Sequence, residues 1–307
     1  KQGCFGYADK AGLRKGFTLS TAKKSMITEE NTAGALLSPP PYSPFFECPY
    51  ATVFQGDSLH VLRTIPTASV DAVVTDPPYS SGGMMRGDRS VKTSDKYVLT
   101  GTKVDRPEFY GDNRDQRGFL AWCSLWLAEC VRIVKPGGYL MAFTDWRQLP
   151  TLSDAIQAGG WVWRGIVVWD KTEQTRPQMG WFRAQCEYVL VASNGGMGKE
   201  QDREVRVCAP GCFRENVRSA EKLHITGKPV SLMKRLMEVL PSGATVLDPF
   251  AGSGTTALAA KEMNLKSISV EMSEAYCAVI RNRLSQEVLG LFDSANSKTT
   301  NETKTTA

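Results

Sequence analysis

The sequence predicts an α/β fold built on a doubly wound, mostly parallel sheet. Short apolar runs alternate with helical patterns between residues 49 and 290, and a Gly-rich turn links a strand to a helix within 244–264. Strands separated by helices favour parallel pairing, with helices on both faces of the sheet. The runs 162–169 and 187–192 have no convincing helix between them, so we expect a hairpin that places one antiparallel strand in the sheet.

Seven strands and six helices are predicted in chain order. The strands are short runs rich in β-branched, aromatic and other apolar residues: 51–55 (ATVFQ), 70–75 (VDAVVT), 138–143 (GYLMAF), 162–169 (WVWRGIVVW from 161), 187–192 (EYVLVA), 244–248 (ATVLD) and 266–271 (KSISVE). The helices are segments with helical spacing of apolar positions: 57–64, 117–134, 148–158, 228–240, 254–264 and 273–289.

Composition and charge are those of an ordinary globular protein with a net positive charge. Of its 307 residues, 42% are hydrophobic, and the net charge is +5, which is compatible with a nucleic-acid partner. No apolar run approaches the roughly 18 residues that span a membrane, and the N-terminal segment does not resemble a signal peptide. Eight cysteines occur without a CxxC pair. We therefore expect a cytoplasmic protein with reduced thiols and no membrane partner.

A structural metal is not expected. Cys208, Cys212 and His224 are the only grouping that suggests one. Their spacing fits no common zinc pattern, and a fourth ligand is not evident.

The chain divides into an arm, one large domain and a tail. Residues 1–48 end in the Pro-rich segment SPPPYSPFFEC and are interpreted as an N-terminal arm or linker. The domain, 49–290, carries a long loop at 80–116 and an excursion at 193–223. The polar tail 291–307 is expected to be disordered.

Both long segments of the domain have two interpretations. The excursion holds four arginines within a short span: Arg203, Arg206, Arg214 and Arg218. The two segments are either solvated surface loops or contacts to a polyanionic partner, and loops of this length are usually functional or disordered.

The Gly-rich turn indicates a nucleoside-containing cofactor. Residues 244–271 predict a βαβ unit in which the first strand ends at Asp248, FAGSGTT forms the turn, and the second strand ends at Glu271. Such an acid accepts hydrogen bonds from ribose hydroxyls. The turn lacks the lysine of a phosphate-binding loop and the GxGxxG spacing of a dinucleotide site. These two sites and a purely structural turn remain alternatives to S-adenosylmethionine, a cation that carboxylates suit.

Together, DPPY at 76–79 and DPFAGSGTT at 248–256 resemble the β-group of S-adenosylmethionine-dependent DNA amino-methyltransferases, most closely the adenine N6 enzymes of bacteria and their phages. The resemblance covers most of residues 50–285. It implies a Rossmann-like methyltransferase sheet with a circularly permuted motif order, because DPPY precedes the cofactor turn. It also implies that the region between the two motifs recognises the target, so 193–223 is the expected recognition excursion.

The resemblance implies a set of cofactor-binding residues. Asp57 matches the residue expected to bind the cofactor's adenine amino group, and HITGKP at 224–229 is similar to a segment that lines the methionine end of the pocket. The cofactor-binding residues expected are Asp57, Asp76, Thr226, Lys228, Asp248, Phe250, Gly252, Ser253, Gly254, Thr255, Glu271 and Met272.

The catalytic residues expected are Asp76, Pro77, Pro78 and Tyr79. An exocyclic amine on an aromatic ring is a poor nucleophile because its lone pair is delocalised. Asp76 and the Pro77 carbonyl accept hydrogen bonds that localise this lone pair, and the prolines fix their direction. Tyr79 offers a face on which an extruded base stacks. A plain turn at the end of a strand is the structural alternative for DPPY.

The expected substrate is adenine N6 in double-stranded DNA with a short or relaxed target site. In this family, Asp first and Tyr fourth are more common in adenine enzymes. Cytosine N4, RNA, a protein glutamine and a catalytically silent binder remain alternatives. A homodimer and association with a bacterial nucleoid are further expectations from the resemblance. Trp122 and Trp126 are expected in the core, and Trp181 and Phe182 have no assigned role.

Overall fold

The computed structural model describes residues 42–80, 114–175, 177–199, 204–216 and 227–286. The tail, most of the arm and most of the 80–116 loop lie outside the described residues, as do residues 176, 200–203 and 217–226. Thr226, His224, Arg203 and Arg218 are therefore not described.

The described residues form nine strands and six α-helices. The strands are β1 Phe46–Cys48, β2 Ala51–Gln55, β3 Val70–Thr75, β4 Val134–Thr144, β5 Val162–Asp170, β6 Cys186–Ser193, β7 Cys212–Arg214, β8 Thr245–Asp248 and β9 Lys266–Glu271. The helices are α1 Ser58–Val61, which continues as a 3-10 turn over Leu62–Thr64, α2 Gln116–Ile133, α3 Leu149–Ala158, α4 Val230–Met237, α5 Thr255–Glu262 and α6 Glu274–Ser285.

All seven predicted strands are present, and the prediction of an α/β sheet is confirmed. The number of strands is wrong, because two short strands extend the sheet at its edges in the order β1-β2-β9-β8-β3-β4-β6-β5-β7. β1 pairs antiparallel with β2, and β7 pairs parallel with β5. Three-residue edge strands carry too short an apolar pattern to be recognised in a sequence.

The predicted hairpin is also confirmed. β6 pairs antiparallel with both β4 and β5, with Ala142 opposite Leu190 and Ile166 opposite the same residue. β6 is therefore the antiparallel strand expected in the body of the sheet. β1 is a second antiparallel strand, formed from the last residues of the predicted arm.

Alternating side chains of the central strands fill two cores on opposite faces of the sheet. On β3, Val73 packs with α2 and α3, whereas Ala72 and Val74 pack with α4 and α5. The same alternation occurs on β4, where Leu140 and Met141 face opposite layers. Two-sided burial explains why these strands are almost continuously apolar, as in parallel sheets generally.

The order of the strands creates a crevice at their carboxyl ends. β3 and β8 are neighbours, but the chain continues from β3 towards β4 and from β8 towards β9. The connections therefore diverge between them, and ligands of open α/β sheets bind at such a switch point. DPPY follows β3 and the Gly-rich turn follows β8, so both motifs lie at this edge. No helix in the described part of the chain has the length and apolarity to cross a membrane.

Candidate active site

The segment after β3 holds a short hydrogen bond within the predicted catalytic motif. The Tyr79 hydroxyl donates to Asp76 Oδ1 at 2.6 Å. Pro77 is buried, and its carbonyl accepts no hydrogen bond from a described residue. The motif therefore presents a partly buried carboxylate, a free carbonyl acceptor and an aromatic ring on a backbone that two prolines restrict.

Lys228 joins this motif from the far end of the chain sequence. Its ammonium donates to Asp76 Oδ2 at 2.6 Å and lies 3.2 Å from Glu187 Oε2, and only 6% of its side chain is exposed. Glu187 in turn contacts Lys171 Nζ through Oε1 at 3.1 Å. Two carboxylates and two ammonium groups thus alternate in a charge cluster made of Asp76, Lys228, Glu187 and Lys171.

The cluster is balanced electrostatically. Burial raises the pKa of Asp76 above its ordinary value, against the opposing effect of the Lys228 ammonium. Burial acts to lower the pKa of Lys228, but Asp76 and Glu187 outweigh it, so this pKa is raised. Burial likewise opposes ionisation of Glu187, but the two lysines prevail and its pKa is lowered. Lys228 and Glu187 are therefore held in their charged forms beside Asp76.

Tyr79 is held as a neutral phenol. Burial first, and then the charge of Asp76, raise its pKa well above the ordinary value of 10.0. The neutral hydroxyl keeps its proton and donates a hydrogen bond to Asp76. Each carboxylate oxygen of Asp76 has a second lone pair, so the group retains acceptor capacity beyond Tyr79 and Lys228.

Asp248 links the two halves of the crevice beneath its surface. It is 3% exposed, and its Oδ1 accepts from the hydroxyl of Thr75 at 2.8 Å while its Oδ2 accepts from the hydroxyl of Thr256 at 2.6 Å. The Phe250 amide also donates to Oδ1 at 3.1 Å. Burial raises the pKa of Asp248 to about 6, and these donors oppose the rise. The carboxylate thus joins β3, β8 and α5 directly beside Asp76.

Glu271 shapes the Gly-rich turn from the neighbouring strand. Its Oε2 accepts from the Gly252 amide and its Oε1 from the Ser273 amide, both at 2.8 Å. Burial raises its pKa to about 7, the two amides oppose the rise, and the negative charge of Asp248 adds to it. The two amide donors therefore offset only part of the cost of burying the charged Glu271 carboxylate, which lies at the crevice.

The turn itself requires glycine at one position. Gly254 has φ +78°, and a Cβ there would lie 2.8 Å from Ile280 Cγ1 of α6. A side chain would therefore be strained and would also clash with α6. Buried Ser253 is fixed by its carbonyl, which accepts from Arg283 Nη1 at 2.6 Å.

The aromatic residues of α2 support the turn. The rings of Trp122 and Trp126 lie 5.1 and 5.3 Å from the Phe250 ring, measured between centroids. Trp126 is fully buried and Trp122 partly buried, so the prediction that they belong to the core is confirmed. The Arg114 guanidinium covers Trp122 at 4.1 Å.

The other predicted cofactor residues surround the same turn, apart from Thr226, which lies outside the described residues. Asp57 follows β2 and caps α1 by accepting from the Leu59 amide through Oδ1. Its neighbour Ser58 donates to the Pro249 carbonyl at 2.5 Å. Thr255 opens α5, and Met272, after β9, is 47% exposed.

Glu187, Lys171 and Thr75 are site residues that sequence reasoning missed. Glu187 is the one acid in the apolar run CEYVLVA, and Lys171 directly follows β5. An acid within a buried strand is a recognisable signal, because a buried charge requires a partner. The identity of that partner is visible only when the strands are assembled.

This fold and site define a nucleic-acid methylase. The chain belongs to the N6/N4 family of DNA methylases, whose family model matches residues 70–282. Among its relatives, the type II methyltransferase M.HinfI of Haemophilus influenzae is 28% identical over 257 residues, covering 76% of this chain and 68% of M.HinfI. The family membership accounts for the paired motifs on the crevice.

Solved structures share the fold. TTHA0409 of Thermus thermophilus, crystallised with S-adenosyl-L-methionine, is 23% identical with a TM-score of 0.56, covering 79% of this chain and 97% of its own. The PvuII DNA methyltransferase, which is cytosine-N4-specific, is 17% identical with a TM-score of 0.61, and the match covers 81% of this chain and 91% of the PvuII enzyme. At these identities the likeness concerns the fold alone.

Proposed function

We propose that this DNA methylase transfers a methyl group to the N6 amino group of an adenine extruded from double-stranded DNA. The observation that carries the proposal is the cluster at the end of β3, where Asp76 is bound by Tyr79 and by buried Lys228 beside the Gly-rich turn. This arrangement combines a hydrogen-bond acceptor for an amine with an aromatic face for a base.

S-adenosyl-L-methionine is the methyl donor of this family and the cofactor of this chain. The residues of the turn fit it. The Glu271 carboxylate, with its pKa raised to about 7, gains from hydroxyl donors such as those of a ribose. The second oxygen of the Asp57 carboxylate makes no hydrogen bond with a described residue and is free to accept from an amino group. Asp248 is buried and accepts hydrogen bonds from Thr75 and Thr256, so it also holds the turn in place.

The bound cofactor supplies a methyl group activated by a sulfonium. Asp76 and the Pro77 carbonyl accept hydrogen bonds from the exocyclic amine, which localises the nitrogen lone pair. Lys228 fixes the orientation of Asp76, and the Tyr79 ring stacks on the base and offsets part of the extrusion cost. The nitrogen would gain the methyl group as the bond between that methyl and the sulfonium breaks, with the electron pair of the broken bond left on sulfur, and the nitrogen would then release one proton. Asp76 is the acceptor that we assign to this proton, because burial raises its pKa.

The choice of adenine over cytosine rests on the motif. Asp at the first position and Tyr at the fourth of DPPY favour adenine N6 in this family, although a cytosine-N4 enzyme, PvuII, shares the fold. Cytosine N4 is therefore the second candidate. The same acceptors serve either amine, since both carry N–H donors conjugated to a ring.

The target sequence is proposed to be short or relaxed. The recognition excursion 193–223 is brief, and its described part includes the three-residue strand β7. Methylation mapping of DNA modified by the full chain tests this proposal, and a single long recognition sequence would contradict it.

Nucleoside mass spectrometry tests the choice of base. DNA is isolated from a methylation-deficient bacterial host that expresses the full chain, the Asp76→Asn variant, or the control Asp154→Asn, in which an exposed acid of α3 is changed. N6-methyladenine with the parent and the control, but not with Asp76→Asn, supports the proposal. N4-methylcytosine instead overturns the base assignment. Absence of both, in protein that binds the cofactor, overturns DNA as the substrate.

A further inference from the structure

The loop between β5 and β6 displays large apolar side chains to solvent. Met179, Trp181 and Phe182 are 95%, 74% and 82% exposed, and the two rings meet edge to face with centroids 5.7 Å apart. Scattered surface hydrophobic residues are normal, but three large ones within four positions mark an interaction surface. We call residues 177–182 the aromatic tip.

Hydrogen bonds brace the loop below its tip. Arg183 Nη1 donates to the carbonyls of Glu173 and Thr175, both at 2.6 Å, which ties the two limbs together. Gln185 donates to Asp170 Oδ1 at 2.7 Å at the base of the loop. The two rings therefore lie on a loop that internal hydrogen bonds stabilise.

Arg214 on β7 reinforces this support from outside the loop. Its guanidinium contacts Glu173 Oε2 at 2.5 Å and Asp170 Oδ2 at 3.7 Å. β7 belongs to the predicted recognition excursion, so the aromatic tip and that excursion form one connected structure.

Both ends of the loop join the charge cluster. Lys171, the first residue after β5, contacts Glu187, the second residue of β6, and Glu187 lies 3.4 Å from the Tyr79 hydroxyl. The tip therefore rises from the same sheet edge as DPPY. The adjacent end of β4 adds Trp146, which is 56% exposed, with the Arg147 guanidinium 5.1 Å from its ring.

We propose that the aromatic tip is a wedge that enters the DNA duplex beside the target base. Trp181 and Phe182 stack on the bases left without a neighbour when the target is extruded. This proposal rests on the proposed function. Duplex DNA is the occupant because the tip is continuous with the site of a DNA methylase and because exposed aromatic rings match the flat faces of unstacked bases. Apolar side chains inserted between base steps unstack and kink DNA in the same way.

The wedge is required only when the target is paired. Base–aromatic stacking contributes enough for each ring that its loss weakens binding about ten-fold or more. We therefore expect the variant Trp181→Ala/Phe182→Ala to methylate duplex DNA at least ten-fold more slowly in kcat/KM. A target opposite a mismatch, or in a single strand, is already unpaired, so its methylation changes less than about three-fold.

The experiment compares the full-length parent, the double variant and a control Trp163→Ala on these three substrates. Trp163 is an exposed tryptophan near the opposite end of β5. Duplex binding is measured by fluorescence anisotropy, cofactor binding by calorimetry, and extrusion by the fluorescence of 2-aminopurine at the target. The expected result is a selective loss of duplex binding, extrusion and turnover in the double variant, with unchanged cofactor binding and a normal control.

Three outcomes overturn the wedge. If the double variant loses methylation activity equally on paired and unpaired substrates, the rings contact the target base itself or support folding. A change from dimer to monomer in light scattering assigns the patch to contact between copies. Unchanged duplex binding and turnover assign it no role with DNA. Absence of methylation by the parent is a failure of the proposed function instead, and the anisotropy comparison then still tests the wedge.

Discussion

Replacing Glu271 with glutamine should remove a specific part of the pH dependence of stability. Burial raises the pKa of this carboxyl from 4.5 to about 7, against the donors Gly252 and Ser273. The folded protein therefore binds a proton between these pH values that the unfolded chain releases. The associated stability is fully present below pH 4.5 and is lost as pH rises through 7.

The magnitude follows from the two pKa values. With about 1.4 kcal/mol for each unit of pKa difference, the full contribution is about 3 kcal/mol, of which about 2 kcal/mol is lost between pH 5 and pH 7.5. Asp170 and Glu187, whose pKa values are lowered, are mostly ionised in both states above pH 5 and add little to the pH dependence within this window. Asp248, with a pKa of about 6, adds a loss in the same direction. Because the two acids repel each other, Glu271→Gln should also reduce this loss somewhat, which strengthens the expected difference.

Urea unfolding at pH 5 and pH 7.5 measures this effect. The free energy of unfolding of the parent should fall more steeply over this window than that of Glu271→Gln, by about 2 kcal/mol. Glu238→Gln, which changes an exposed acid after α4, is the matched control and should keep the parent's slope. If Glu271→Gln keeps that slope as well, the carboxyl is not desolvated as described, and the reasoning fails.

Cofactor affinity should depend on the same ionisation. A carboxylate accepts from both ribose hydroxyls, whereas a carboxylic acid does not. With a pKa of about 7, the ionised fraction of Glu271 rises about ten-fold between pH 6 and pH 8. Calorimetry of the parent should show a comparable gain in affinity for S-adenosyl-L-methionine. A pH-independent affinity would argue against a direct contact between Glu271 and the ribose.

Substitutions at three further positions test other parts of the site. Tyr79→Phe keeps the ring and loses only the donor to Asp76, so its methylation rate should stay within about ten-fold of the parent. Tyr79→Ala should be about ten-fold slower than Tyr79→Phe, because stacking of the base on the ring is worth ~1–3 kcal/mol. Equal methylation rates for the two variants would exclude stacking. Glu187→Gln breaks a buried pair with Lys228 and should lower the free energy of unfolding by about 3 kcal/mol in urea, more than any exposed Glu→Gln change. Gly254→Ala adds a side chain at φ +78° against α6, so it should lower the free energy of unfolding by roughly 2–4 kcal/mol and abolish cofactor binding. A stable variant that binds the cofactor would contradict the assigned geometry of the turn.

The sequence was sufficient for the elements that repeat a local pattern. All seven predicted strands are present, because each is a run of apolar residues buried on one or both faces. The helices are recognised equally, although the helix predicted at 228–240 ends at Met237 and the helix predicted at 273–289 ends at Ser285. In the first case, Val239 and Leu240 continue the apolar pattern beyond the end of the helix because they also pack on the core. The short strands β1 and β7 were missed, because three residues are too few for a period to be visible.

The residues of the candidate site also differ in whether the sequence alone reveals them. DPPY and the Gly-rich turn were recognisable because their chemistry resides in contiguous residues. The charge cluster was not, because Lys228 and Asp76 are 152 positions apart and the sequence does not show which partners Glu187 meets. The resemblance places Lys228 near the methionine end of the cofactor, and the structure adds its ion pair with Asp76.

The sequence by itself determined the α/β class, the order of the two motifs and the family to which they belong, since periodicity and contiguous motifs are local properties. The tertiary structure alone decided which distant groups meet. Thr75 and Asp248, 173 positions apart, share a hydrogen bond because β3 and β8 became neighbours. Strand order depends on the packing of whole layers, and the burial that shifts the pKa values of Asp76, Asp248 and Glu271 arises only from that packing.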